Sequence, residues 1–178
     1  MAHIDLNPEL PGIIGPMAFS PATGNPMRQL AEALLQTESP FLNKAERELI
    51  ASYVSYLNSC VFCSESHGAA ADAHMAKAGW ARNVWNDSSL RSLNPKMQSL
   101  LKIAAKVQKD ARQVSVEDVA AARATGVTDR EIHDTVLIAA AFCMYNRYVD
   151  GLATMQPPRE HPAYVEMGRM LASNGYLT

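Results

Sequence analysis

The sequence predicts an all-α protein with about seven helices. Apolar side chains recur at helical spacing along most segments. One such stripe consists of Leu49, Ile50, Tyr53, Val54 and Leu57. Capping pairs precede several of these segments, and no segment alternates apolar and polar residues as a half-buried β-strand does. The 178 residues, of which 48% are apolar, suit one globular domain with a buried core.

The first part of the chain has the composition of a loop. Residues 1–24 are rich in Pro and Gly, so we predict an irregular N-terminal arm, followed by one helical domain over residues 25–178. Asn25 and Pro26 are typical of a helix start, because Asn caps helices and Pro fits the first helical turn. This first predicted helix ends near Gln36.

The second and third predicted helices meet at a short break. Asn43 and Glu46 have the spacing of a capping box, which places the start of the second helix. The polar pair at positions 58–59 interrupts the apolar pattern. The third helix is therefore predicted over about residues 60–78, and Gly79 suits the position that follows a helix end.

Four more helices are predicted in the second half of the chain. Asn94 with Pro95 opens the fourth, and capping pairs at positions 115/118 and 128/131 open the fifth and sixth. The sixth runs to about residue 149 and is apolar nearly all round, which predicts a central buried helix. The seventh covers about residues 162–174.

Charge and hydropathy exclude several classes of function. The formal net charge of −2 argues against an extended nucleic-acid surface, which is normally basic. The first residues lack the basic region and long apolar run of a signal peptide. The most apolar run, residues 135–145, has about half the length that a spanning helix needs. We therefore expect a soluble, cytoplasmic protein that binds neither nucleic acid nor membrane.

The spacing of the cysteines predicts a functional site. Cys60 and Cys63 form a C-x-x-C, whereas Cys143 lies far away in an apolar run and is interpreted as a core residue. In a reducing compartment, a C-x-x-C is typical of a catalytic or metal-binding site rather than of a structural disulfide.

Two further residues extend this candidate site. With Cys60 at a helix start, His67 lies on the same helical stripe as Cys60 and Cys63, and the positive helix end favours a thiolate. If the second and third helices form an antiparallel hairpin, Glu48 lies level with His67. The geometry then allows a relay in which Glu48 orients His67 and His67 exchanges a proton with Cys63.

The residues alone leave two chemistries open. A redox dithiol needs only the two sulfurs, a helix start and a base. A zinc site would use Cys60, Cys63 and His67, with Glu48 or His74 as a fourth ligand. Otherwise His74 is interpreted as structural. Covalent haem attachment is excluded, because Ser, not His, follows the second cysteine.

The spacing of the four site residues carries a resemblance to a known family. Glu48, Cys60, Cys63 and His67 fit the pattern E-x11-C-x2-C-x3-H, which resembles the AhpD-like branch of the carboxymuconolactone decarboxylase superfamily. The similarity extends to LNKAERELIASYVSYLNSCVFCSESHGAAA and to VTDREIHDTVLIAAAFCMYNRYVDGL. The Pro/Gly-rich arm and the late Tyr176 resemble the peroxidase-related subgroup.

This resemblance implies a fold and an activity. The fold would be an AhpD-like all-α bundle that assembles into a trimer or hexamer. The activity would be reduction of hydroperoxides, with Cys63 as the peroxidatic thiol and Cys60 as the resolving thiol. Glu48 and His67 would form the proton relay. No haem, flavin or other cofactor would be needed, and an external dithiol or protein reductant would regenerate the pair.

One residue departs from the family pattern. AhpD proper has a histidine immediately before the second cysteine, and Phe62 stands there in this chain. An apolar wall replaces a titratable group, which favours an alternative activity: a thiol–disulfide oxidoreductase or redox sensor with weak peroxidase activity. A zinc-binding or structural oligomeric module is the second alternative.

Overall fold

The all-α prediction is confirmed, with more helices than expected. In the computed structural model, which describes residues 2–177, the chain forms nine α-helices and one 3₁₀ turn, and those residues contain no strand. The two additional helices are α1 and α5. The helices are α1 (Ile14–Phe19), α2 (Pro21–Leu35), α3 (Lys44–Leu57), α4 (Val61–Met75), α5 (Trp80–Asn86), α6 (Pro95–Asp110), α7 (Val116–Ala124), α8 (Asp129–Gly151) and α9 (Ala163–Asn174).

The N-terminal region is more ordered than its composition predicted. α1 and α2 are both helical before residue 24, so the irregular conformation predicted for residues 1–24 is wrong beyond residue 13. Pro16 and Pro21 lie in first helical turns, where the missing N–H has no intrahelical partner to lose. Pro26 lies inside α2 rather than at its start. The division into an arm and a domain stays a prediction.

Most predicted helix ends agree with the structure. Asn43 and Glu46 form both hydrogen bonds of the capping box that begins α3. The third predicted helix, α4, ends at Met75, before the predicted boundary, because Ala76 takes the left-handed conformation (φ 50°). Gly79 therefore caps the start of α5 instead of following the end of α4.

The packing centres on the pair formed by α3 and α4. α3 packs against α4, α6 and α8, while α9 packs along α4. Leu49, Ile50 and Val54 of the predicted stripe have no exposed surface. α8 is buried only in part, since Leu137 is 41% exposed and Met144 45% exposed. None of the helices over residues 2–177 has both the length and the apolar character that a membrane crossing requires.

Candidate active site

The α3–α4 hairpin brings Glu48 and His67 into contact. The turn at residues 58–59 reverses the chain, and Nδ1 of His67 lies 2.8 Å from Oε2 of Glu48. Glu48 has no exposed surface, and the His67 side chain is 12% exposed. An ionised Glu48 carboxylate can only accept a hydrogen bond; in that state Nδ1 of His67 is the donor, and Nε2 is the nitrogen of a neutral ring that can accept a proton.

A third residue joins this pair from the C-terminal tail. The hydroxyl of Tyr176 donates to Oε1 of Glu48 (2.5 Å) and lies 3.1 Å from Nδ1 of His67. The two rings stack, with centroids 5.7 Å apart. Burial, followed by the charge of Glu48, raises the pKa of the Tyr176 phenol well above its usual range. Tyr176 therefore stays a hydrogen-bond donor, and both oxygens of Glu48 are satisfied.

The conformation of the tail depends on one glycine. Gly175 follows α9 with φ 74° and ψ −154°, a region that side-chain-bearing residues avoid. A Cβ atom there would lie 2.4 Å from Oε2 of Glu32. The same Glu32 oxygen accepts the backbone N–H of Tyr176 (2.7 Å). The sequence did not predict Tyr176 as a site residue; the available signal was an aromatic residue directly after a helix-ending glycine.

The cysteine pair lies beneath the surface at the start of α4. Cys60 is the N-cap residue and has no exposed surface, whereas Cys63 is 2% exposed. Both are free thiols. They pack with Phe62, Val149 and Tyr164 in a small apolar cluster. The pair is therefore arranged on one helical turn, as its spacing predicted.

The surroundings of Cys63 change its expected acidity. A hydrogen bond with Cys60, followed by burial, raises the pKa of the Cys63 thiol well above its usual range, and the charge of Asp150 adds to that rise. A hydrogen bond with Asn146 acts in the opposite direction. The helix start was expected to favour a thiolate, whereas the net effect of these neighbours is a raised pKa of the Cys63 thiol.

An apolar cavity borders both Cys63 and the neighbouring pair of His67 and Tyr176. Its volume is about 290 Å³, and Cys63, His67 and Tyr176 lie in its wall together with Arg28. The rest of the wall is mostly apolar. It includes Ile13, Ile14, Met17, Ala31, Phe62, Phe142, Tyr145, Met167, Met170 and Leu171. The cavity therefore offers space for a small organic molecule next to a thiol and an imidazole.

The remaining sequence candidates lie outside this cavity. His74 is partly buried on α4, and burial lowers its pKa. Cys143 is partly buried against the main core, where Asn58 Nδ2 lies 3.6 Å from its sulfur. Within residues 2–177, no group of three or more His, Cys, Asp or Glu side chains is arranged to hold a metal ion.

Solved structures with the same architecture are found by comparison. One is a protein from Ralstonia eutropha JMP134 described as an alkylhydroperoxidase AhpD core and an uncharacterized peroxidase-related protein. It matches with a TM-score of 0.78 and 28% identity, over 89% of this chain and 81% of that chain. The chain has an AhpD-like fold. A second match, an uncharacterized peroxidase-related protein from Silicibacter sp. TM1040, has a TM-score of 0.77 and 27% identity, over 89% of this chain and 81% of that chain.

The AhpD-like, peroxidase-related resemblance predicted from the sequence is thereby confirmed. Searches against family models and curated proteins find no match. The structural matches support a general AhpD-like, peroxidase-related family for this chain.

Proposed function

We propose that this protein is a thiol-dependent peroxidase that reduces organic hydroperoxides with Cys63 and Cys60. The observation that carries the proposal is that Cys63 and His67, one helical turn apart on α4, both line the wall of the apolar cavity. His67 forms a hydrogen bond with the fully buried carboxylate of Glu48. A nucleophile, a base and a group that orients the base are the parts that thiol catalysis requires.

The first step consumes the peroxide. Cys63 transfers its proton to Nε2 of His67, and the resulting thiolate attacks the distal oxygen of the hydroperoxide. The O–O bond breaks, the sulfur becomes a sulfenic acid, and the departing alkoxide takes the proton from His67 to form an alcohol. Glu48 stabilises the transient imidazolium, and the apolar cavity wall accommodates the organic group.

The second step restores the pair. The sulfur of Cys60 attacks the sulfenic acid on Cys63, which releases water and forms the Cys60–Cys63 disulfide. An external dithiol or protein reductant then returns the disulfide to two thiols and is itself oxidised. These steps use only side chains of this chain, the hydroperoxide and the reductant.

Replacement of each cysteine tests the proposal. Hydroperoxide consumption is measured with cumene hydroperoxide and dithiothreitol. Cys63→Ser is expected to abolish turnover, whereas Cys143→Ser, the matched control, is expected to retain it. After one equivalent of peroxide, mass spectrometry is expected to find a Cys60–Cys63 disulfide in the wild type and a sulfenic acid on Cys63 in Cys60→Ser. Undiminished turnover in Cys63→Ser would refute the assignment.

The same samples distinguish the proposed peroxidase activity from the alternative, thiol–disulfide oxidoreductase activity. A thiol–disulfide oxidoreductase would reduce a model protein disulfide faster than it reduces peroxide. Both sulfurs are buried and Phe62 packs beside them, so a bulky protein disulfide has less access to Cys63 than a small hydroperoxide has. We therefore expect peroxide to be the faster substrate.

A further inference from the structure

A methionine side chain lies in the cavity wall next to the helix that carries Cys63. Sδ of Met167 on α9 is 3.1 Å from Oγ of Ser66 on α4, and both residues line the cavity. Ser66 follows Cys63 by three positions, so the two side chains share one face of α4. Met167 also packs against the apolar cluster that contains both cysteines. A thioether and a thiol therefore lie in the wall of the same cavity, on neighbouring helices.

The close approach of α9 to α4 holds Met167 at this wall. A Cβ atom added to Gly168, the next residue, would lie 2.4 Å from the backbone carbonyl carbon of Ala69. The two helices therefore meet at a position that admits no side chain. Met167 is only partly exposed, so its side chain belongs to the packed wall rather than to the outer surface of α9.

The hydroxyl of Ser66 has two acceptors within reach and one hydrogen to donate. Phe62 O lies 2.6 Å from Oγ, and the Met167 sulfur lies 3.1 Å from it. A thioether is a weak acceptor, so the backbone carbonyl takes the hydrogen and the sulfur retains its lone pairs for reaction. A sulfoxide oxygen is a stronger acceptor than a thioether, and the same hydroxyl is placed to donate to it once it forms.

We propose that Met167 is a site of oxidative modification, where a hydroperoxide bound in the cavity converts the thioether to a sulfoxide. The sulfur attacks the distal oxygen and keeps it, and the O–O bond breaks. The proton of the hydroperoxide passes to the departing alkoxide, which leaves as an alcohol. The sulfur loses two electrons and the peroxide gains them. The inference rests on the proposed function for the hydroperoxide in the cavity, and it uses neither cysteine.

This modification competes with the thiol for one substrate. While a reductant keeps Cys63 reduced, the thiol consumes the hydroperoxide. Once the pair has become a disulfide, the hydroperoxide stays in the cavity and the thioether is available to it. The sulfoxide places a polar group in an apolar wall, and its formation is reversible by methionine sulfoxide reductases.

The experiment maps methionine oxidation in the full-length protein without reductant. The protein is exposed to an excess of cumene hydroperoxide or of hydrogen peroxide, and peptide mass spectrometry follows the gain of one oxygen atom at each methionine. Met155, which is 46% exposed and lies outside the cavity wall, reports oxidation from solvent. Met97, which is 2% exposed in the main core, reports a buried sulfur away from the cavity.

The comparison of the two peroxides removes the effect of exposure. For each methionine, the rate with cumene hydroperoxide is divided by the rate with hydrogen peroxide. Binding in the cavity holds the apolar peroxide next to the sulfur, so this ratio is expected to be at least about tenfold higher for Met167 than for Met155. Met17 and Met170 also line the cavity, and their ratios are expected to lie below that of Met167, which packs against the cysteine cluster.

An unreactive ligand provides a second measurement. Cumyl alcohol has the apolar group of cumene hydroperoxide but no O–O bond. It is expected to slow the oxidation of Met167 by cumene hydroperoxide and to leave the oxidation of Met155 unchanged. Equal ratios for Met167 and Met155 or Met97, a larger ratio for Met17 or Met170, or no protection by the alcohol would overturn the inference.

The variant Cys63→Ser separates this inference from the proposed function. Oxidation of a thioether needs no thiol, so the same selectivity for Met167 is expected in the variant. Selective oxidation of Met167 in a protein whose hydroperoxide turnover does not depend on Cys63 would uphold the inference and refute the proposed function. Turnover that depends on Cys63, without selective oxidation of Met167, would do the reverse.

Discussion

Removal of the Tyr176 hydroxyl tests whether the C-terminal tail is part of the site. In Tyr176→Phe the aromatic ring still stacks on His67, but Oε1 of Glu48 loses its hydrogen-bond donor. Glu48 has no exposed surface, so water does not replace the donor without opening the site. A hydrogen bond to a charged group contributes about 2 kcal/mol, and we expect the free energy of unfolding to fall by that amount. For a chain of this size the melting temperature falls by about 4–8 °C.

The same change is expected to affect turnover. Glu48 is then held by His67 alone, and the imidazole loses one of the two oxygens that fix Nδ1. If about 1.4 kcal/mol of the lost interaction is expressed in the transition state, kcat/KM for the hydroperoxide falls about tenfold. Tyr148→Phe is the matched control, because its hydroxyl lies 3.4 Å from Pro16 O, away from the catalytic groups.

Two measurements decide this prediction. Denaturant unfolding gives the stability of both variants, and steady-state kinetics gives kcat/KM. Tyr176→Phe is expected to lose both stability and activity, and Tyr148→Phe to lose neither beyond about 1 kcal/mol. If Tyr176→Phe were as stable and as active as the wild type, the hydroxyl would have no role at Glu48 and the reasoning would be refuted.

Three other predictions concern the scaffold. Asp134→Asn leaves the buried Arg47 without its charged partner (3.0 Å) and is expected to cost about 3–5 kcal/mol in denaturant unfolding. Burial alone would raise the pKa of Asp134, but hydrogen bonds and cationic neighbours lower it overall. The stability that the ionised Asp134 contributes is therefore present above its unfolded pKa of about 3.9 and is lost as pH falls through its lower folded pKa. The free energies of unfolding of the wild type and Asp134→Asn are expected to converge in acid. Gly168→Ala places a Cβ 2.4 Å from the carbonyl carbon of Ala69, and a loss of about 1–3 kcal/mol is expected from thermal unfolding. Light scattering is expected to give the molecular mass of a trimer or hexamer for the wild type. Leu137→Lys, on the exposed face of α8, is expected to lower the mass of the assembly. An unchanged mass would exclude this face from the subunit interface.

Local signals in the sequence were sufficient to predict most of the fold. The capping pair of Asn43 and Glu46 predicted the start of α3, and helical arithmetic placed Glu48 level with His67 across one turn. These features depend on residues a few positions apart or on one hairpin. α5 was missed because it is short and because Gly79 suits both the end of one helix and the start of the next.

Features that depend on distant contacts could not be predicted in this way. Tyr176 reaches Glu48 only because α9 ends where it does and Gly175 turns the chain back. Asn146 reads as one polar residue in an apolar helix, and its partner Asn58 lies far away in the sequence. The pKa of Cys63 is raised by a hydrogen bond with Cys60 and then by burial, and that burial results from packing between separate elements.

The proposed mechanism does not require a histidine inside the cysteine motif. Phe62 is 4% exposed and packs edge-on against Tyr164, so it contributes an apolar wall and no proton donor. Tyr176 supplies a hydroxyl to Glu48 and lies beside His67, and its raised pKa keeps that hydroxyl protonated at neutral pH. The hydrogen bonds of the proposed relay are therefore complete without a titratable group at position 62. Turnover in this chain is expected to depend on how the C-terminal tail is held, because the tail carries the donor that the motif lacks.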